Sequence, residues 1–132
     1  MSKPWLDDLM VKAKYEEYGL PPHMLPGLEG HVENGRPTGD FLSALLENNL
    51  RLTVGLADER NQAKILQWVR FCHNWLPAGC WGSSRAVAEW REDGGRVGRA
   101  EMEIKRRVQL AADRAKASEE TKGGHYEPTE IA

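Results

Sequence analysis

At 132 residues the chain fits one ordinary domain, and a composition of 40% hydrophobic and 29% charged residues belongs to a folded globular protein rather than a disordered one. A net charge of −2 argues against a general nucleic-acid coat, and no apolar run approaches the ~20 residues needed to span a bilayer. Two cysteines, Cys72 and Cys80, are too few to staple a secreted domain, and Met1-Ser2-Lys3-Pro4-Trp5 lacks the charged-then-apolar layout of a secretory signal; the expectation is a cytoplasmic protein with reduced thiols.

The first helix is predicted over 4–18, capped by Ser2, with Pro4 in its first turn and Gly19 as its stop. Trp5, Leu6, Leu9, Met10 and Ala13 form its apolar stripe. Pro21-Pro22 forces an extended entry to a second helix, opened by Pro22 or Pro26, with Leu25, Leu28 and Val32 as its stripe. Asn34-Gly35 ends it. Thr38 or Asp40 caps the third helix, in which Phe41, Leu42, Leu45 and Leu46 recur at helical spacing, and Asn48-Asn49 marks a break. Leu50 to Ala57 continues as a short fourth helix, weakened by Thr53, Val54 and Gly55.

The strongest element is predicted over 59–76, capped by Asp58 and ended by Pro77. Its residues Ala63, Ile65, Leu66, Trp68, Val69, Phe71, Cys72, Trp75 and Leu76 are apolar around more than half the helix, which implies a central, buried position. Residues 77–82 form a tight loop, and Ser83 or Ser84 caps a short helix carrying Val87 and Trp90. Beyond Asp93-Gly94-Gly95 comes a helix over 96–118 with a narrow stripe of Val97, Ala100, Ile104, Val108, Ala111 and Ala115, too small to build a core alone. It packs on the core or on a second copy of itself. Residues 119–132 are expected to be a disordered acidic tail. Charge follows this division: the net is −2 over 1–84, +3 over 85–118 and −3 from Glu119 onward. The fold class is therefore all-α: a compact bundle of five to six short helices over 1–93, a longer C-terminal helix over 94–118, and the tail.

Candidate chemistry is sparse. Cys72, His73, Cys80, His23 and His31 match no metal-ligand spacing, and Cys72 lies on the apolar stripe, so packing is preferred to metal. Cys80, just before a helix start, has the setting of an activated thiol with His31 or His73 as its base, but nothing in the sequence orients such a pair. No catalytic residue, cofactor or metal is assigned. Trp68 and Trp75 are core residues by their spacing, whereas any exposed member of Trp5, Trp81 and Trp90 would mark an interface. The loop carrying Arg36, Thr38 and Asp40 has the glycines of a weak anion site before a helix. Asn48, Asn49, Asp58, Arg60 and Asn61 form the densest polar group outside the tail. Capping explains it best, yet it is the preferred place for a ligand, part of a polar edge of residues 35–40 and 48–61 that faces the Cys80-Trp81 loop at a distance the sequence does not set. Lys105, Arg106 and Arg107 could touch phosphate, although on a helix they fan around the circumference beside Glu101 and Glu103.

Four segments resemble small accessory proteins of tailed bacteriophages and prophages: Pro-Pro-His-Met at 21–24, Gly-Asp-Phe-Leu-Ser-Ala-Leu-Leu-Glu-Asn-Asn-Leu at 39–50, Ala-Asp-Glu-Arg-Asn at 57–61 and Leu-Pro-Ala-Gly-Cys-Trp-Gly-Ser at 76–83. The resemblance covers residues 21–90, about half the chain. It implies an accessory protein made inside an infected bacterium and supplies no activity or catalytic residue. Together these features lead to the expectation of a non-catalytic binding protein that modulates a host defence factor or another host or phage protein. An oligomeric binder of a small molecule or nucleotide signal is the first alternative, and a nucleic-acid accessory factor using the basic C-terminal helix is the second.

Overall fold

Residues 4–124 are described by the computed structural model, and every regular element among them is helical. The expected all-α class holds. The chain divides into two units, one ending at Arg99 and one beginning at Ala100.

The first unit opens differently from the predicted helix over 4–18. Trp5–Asp7 form a single 3-10 turn, and the first α-helix (α1) is Leu9–Glu17, capped by Asp8, whose carboxylate accepts from the Met10 N–H at 2.9 Å. Ser2, the expected cap, lies outside the described residues. The cause of the shift is the anchoring of Trp5. Its backbone N–H donates to Glu33 Oε1 at 2.9 Å and its indole N–H to the Trp75 carbonyl at 2.8 Å, which swings the entry away from the helix axis. The helix consequently buries Val11 and Tyr15, four residues apart, while the predicted stripe members Met10 and Ala13 are exposed.

A 3-10 turn at Pro22–Met24 leads into α2 (Leu25–Asn34), which buries Leu28 and Val32 as expected. Gly35 closes it in the left-handed conformation, with the Arg36 N–H donating to the Gly30 carbonyl at 3.2 Å. α3 (Asp40–Leu46) begins without either predicted cap. Gly39 occupies that position, Asp40 is exposed in the first turn, and Thr38 Oγ1 instead meets Ser43 Oγ at 2.9 Å and Arg91 Nη2 at 3.2 Å. Asn48 breaks the chain with a positive φ of 60°, and Asn49 caps α4 (Leu50–Leu56) by accepting from the Leu52 N–H at 3.1 Å.

The predicted helix over 59–76 is two helices, α5 (Glu59–Gln62) and α6 (Ile65–Trp75), with Ala63-Lys64 between them. The break has a physical cause. Trp68 Nε1 donates to Asn61 Oδ1 at 2.9 Å, and both residues are buried. Seven residues along one continuous helix would separate them by about 10 Å of rise, beyond hydrogen-bond reach. The kink brings the amide back over the indole. The burial is narrower than the apolar breadth implies: α6 buries Trp68, Phe71 and Cys72 on one face and exposes Leu66 and Val69 on the other.

α7 (Ser84–Asp93) is capped by Ser83 through the Ala86 N–H at 3.0 Å and buries Val87 and Trp90. Trp90 Nε1 donates to the His31 carbonyl at 2.8 Å and fastens α7 to α2. α8 spans Gly95–Gly124, so it opens one residue earlier than predicted and continues through 119–124; the rest of the expected tail, 125–132, lies outside the described residues. Within the first unit, Arg96 at the start of α8 grips Glu33 with two bonds of 2.5 and 2.9 Å, and the Arg99 guanidinium stands 4.5 Å over the Trp90 ring. The core is a set of edge-to-face aromatic contacts, in which Tyr15 meets Phe71 at 5.3 Å and Trp68 at 5.8 Å, and Phe41 meets Trp68 at 5.9 Å.

Two buried groups make this fold sensitive to acid. Hydrogen bonding to Arg96 holds the Glu33 carboxyl below its ordinary 4.5, and burial holds His31 below its ordinary 6.5. In both cases the unfolded chain takes up a proton more readily than the folded one, so stability rises with pH. Unfolding midpoints are expected to fall as pH drops below about 6.5, where His31 in the unfolded chain charges, and to fall again below about 4.5 as Glu33 protonates. Glu33→Gln should abolish the second loss and keep the first. A midpoint constant from about pH 7 to pH 5 would contradict a neutral, buried His31.

Candidate functional site

Most of the predicted site residues are occupied with folding. Asn49 and Asp58 cap α4 and α5, the latter accepting from the Asn61 N–H at 2.8 Å. Asn61 is buried, its carbonyl on Trp68 and its NH2 3.4 Å from Met24 Sδ. Thr38 is tied to Ser43 and Arg91. Asp40 and Arg60 are exposed on separate helices. Arg106 and Arg107 of the second unit both bind Glu103, at 2.7 and 2.8 Å, and Lys105 is exposed. Arg36, Thr38 and Asp40 belong to the α2–α3 loop and the start of α3, and residues 48–61 to α4, α5 and the turns before them.

The thiol reading meets a similar outcome. His31 Nε2 donates to the carbonyl of Cys80, at 2.8 Å, rather than facing its sulfur. Burial pushes the Cys80 thiol up to about 12, which disfavours the thiolate needed for attack at neutral pH. Cys72 is raised in the same direction by the same cause. Among the described residues no group of three or more His, Cys, Asp or Glu side chains is placed to hold a metal ion. No helix of the described chain is long and apolar enough to cross a membrane.

What the fold does assemble is an apolar surface around two of the predicted residues, Asn48 and Trp81. The loop carrying Trp81 is pinned at both ends: the Gly82 N–H donates to the Leu46 carbonyl at 2.7 Å, and the Cys80 carbonyl is held by His31. Trp81 is thereby left half-buried at the edge of a dimple bordered by Leu50, Ile65, Val69 and Asn48 and floored by the buried Leu45 and Thr53. α4 is almost inside out. Its only buried residue is Thr53, whose hydroxyl donates to the Asn49 carbonyl at 2.6 Å, while Leu50 (67% exposed), Leu52, Val54 and Leu56 all face solvent. α6 adds Leu66 and Val69, the latter 40% exposed. Arg51 and Arg70 lie on these same two helices and make no ion pair among the described residues.

The dimple holds only about 30 Å³, space for part of one side chain and far below the several hundred Å³ of a metabolite pocket. A roomier cleft of about 420 Å³ lies elsewhere, lined by Pro4, Pro26, Glu29, Gly30, Glu33, Asn34 and Arg36. Arg36 is its one predicted site residue. The apolar members of the α4–α6 surface were absent from the sequence-derived set. Their available signal was the alternation of Leu50, Leu52, Val54 and Leu56, a spacing of two that no helix can bury on one face.

No protein-family model, curated protein sequence or solved structure matches the chain.

Proposed function

We propose that the protein is a non-catalytic binding module that docks a partner protein on the surface formed by α4, α6 and Trp81. The observation that carries this reading is the exposure of Leu50 and Val69 around a dimple edged by the half-buried Trp81, with Leu52, Val54, Leu56 and Leu66 exposed elsewhere on the same two helices. Apolar side chains gathered at the rim of such a dimple are costly to leave wet, and tryptophan beside aliphatic side chains is the usual composition of an interface centre. The occupant is an apolar protein segment flanked by acidic residues, because Arg51 and Arg70, the cations of these same two helices, make no ion pair among the described residues. The resemblance of residues 21–90 to phage accessory proteins supplies the setting: a bacterial host cell, with the partner a host factor, such as a defence protein, whose activity is modulated by occupancy.

The test uses wild-type protein and the Leu50→Glu and Val69→Glu variants as baits in bacterial lysate, followed by reconstitution of any captured protein from purified components. Both substitutions fall on exposed positions and leave the core intact. Binding of the reconstituted partner is expected to weaken by ~10-fold or more in each variant. Equal binding to all three proteins would contradict the reading. A second reading, small-molecule or nucleotide-signal binding, is favoured by the 420 Å³ cleft at Arg36. A thermal shift with cyclic or linear nucleotides, lost in Arg36→Ala, would support it.

A further inference from the structure

We propose that α8 beyond Arg99 is a coiled-coil strand whose partner is the same helix of a second copy of this chain, parallel and in register. This inference rests on α8 alone and is independent of the docking surface on α4 and α6.

The helix over 100–124 exposes its whole apolar stripe, with Ile104 61% and Val108 64% accessible. Isolated helices are marginal in water, and their stability comes mostly from packing an amphipathic face. The stripe has a regular period. Val97, Ala100 and Ile104 repeat as Val108, Ala111 and Ala115, each pair eleven residues apart. An eleven-residue repeat is 3.67 residues per turn, close to the α-helix itself, so two such helices pair nearly straight. The small alanines let the backbones approach, and Ile104 and Val108 supply the larger side chains at the centre.

Charge selects the partner and its direction. At 100° per residue, Arg107 and Arg114 fall on one flank of the stripe with Glu103, and Glu101 and Glu119 on the other with Lys105; Glu103 binds Arg107, which leaves Arg114 and Glu119 as the charges set to face across the seam. In a parallel pair related by a two-fold axis, opposite flanks meet, which sets basic against acidic on both sides of the seam. An antiparallel pair would set arginine against arginine and glutamate against glutamate. Arg114 makes no ion pair among the described residues, and Glu119 stands five positions further on, on the opposite flank.

Sedimentation of the full chain over a concentration series is expected to show a monomer–dimer equilibrium. Ile104→Asp, on an exposed position, should weaken the dimer by ~10-fold or more, because pairing would bury its charge. R114E should also weaken it, and R114E/E119R should restore it. Direction is read by disulfide crosslinking: Cys72 and Cys80 are both fully buried, so Ala100→Cys places the one accessible thiol at one end of the seam. Parallel pairing predicts rapid covalent dimer from Ala100→Cys, whose two copies an antiparallel pair over 100–124 would hold about 36 Å apart, and little from Gln109→Cys on the far face. A monomer at every concentration, a dimer indifferent to Ile104→Asp, failure of the charge swap to restore, or equal crosslinking at the two positions would each overturn the proposal.

Discussion

Replacing Trp68 with alanine is expected to destabilise the protein by about 3–5 kcal/mol, the range found when a large aromatic side chain is removed from a packed core. Trp68 is fully buried, and its ring meets Tyr15 and Phe41 edge-to-face, at 5.8 and 5.9 Å. Truncation removes both contacts and also strips Asn61 Oδ1 of its donor. A conservative change separates these effects. Trp68→Phe keeps much of the packing and leaves the buried Asn61 carbonyl unsatisfied, a loss of about 1–3 kcal/mol. Denaturant midpoints for the two variants should therefore rank wild type, then Trp68→Phe, then Trp68→Ala. A midpoint unchanged in Trp68→Ala would contradict the placement of α6 at the centre of the fold.

The second large effect is expected at Gly95, where α7 turns into α8. Its φ of +75° lies in the left-handed region, which costs an L-residue roughly 1–2 kcal/mol. Space is also missing. A Cβ at this position would come 2.5 Å from the Gly35 N and 2.6 Å from the Asn34 N, and these are backbone atoms that cannot swing aside. Overpacking of this kind adds about 1–3 kcal/mol, so Gly95→Ala is expected to lose about 2–5 kcal/mol in all. Two other glycines serve as controls. Gly94→Ala shares the positive φ of +86° but meets nothing closer than 3.4 Å, so only the conformational cost remains. Gly39→Ala meets nothing within 4 Å at an ordinary φ of −68° and should be neutral or slightly stabilising. Melting curves that fail to place Gly95→Ala lowest of the three would contradict the close docking of this turn on the end of α2.

The physical origin of Gly95's constraint shows what could and could not be read from the chain. Asp93-Gly94-Gly95 is legible as a break between helices because glycine is the residue that ends them. That the break presses against Gly35, sixty residues earlier, has no local signature. The same split runs through the rest of the fold. Helix ends set by local chemistry, such as the Gly35 closure, the Ser83 and Asp58 caps and the interruption at Asn48-Asn49, follow from the residues at hand. Ends set by distant partners do not. Trp5 leaves the predicted first helix because Glu33 and the Trp75 carbonyl hold it, and the predicted 59–76 helix bends because Asn61 turns to meet Trp68.

The candidate site divides along a similar line. Short polar side chains such as Asn49, Asp58 and Asn61 are drawn to caps and buried bonds, so a dense polar group in sequence became a set of separate local fastenings. The apolar surface that remains depends on which face of each helix the core leaves over. For α6 that face is fixed by the burial of Trp68, Phe71 and Cys72, which turns Leu66 and Val69 outward. For α4 the core accepts Thr53 and leaves the leucines wet. Trp81 alone was visible beforehand as a residue whose exposure would mark an interface.

The role of that surface is tested most directly by position-specific photocrosslinking in bacterial cells that make the protein, with a photoreactive side chain at Val69 or at the exposed Ala88 of α7. A discrete crosslinked partner is expected from Val69, absent from Ala88, with a yield that falls ~10-fold or more when Leu50→Glu is added. A partner captured equally from both positions, or captured from Ala88 alone, would contradict a docking face built on α4, α6 and Trp81.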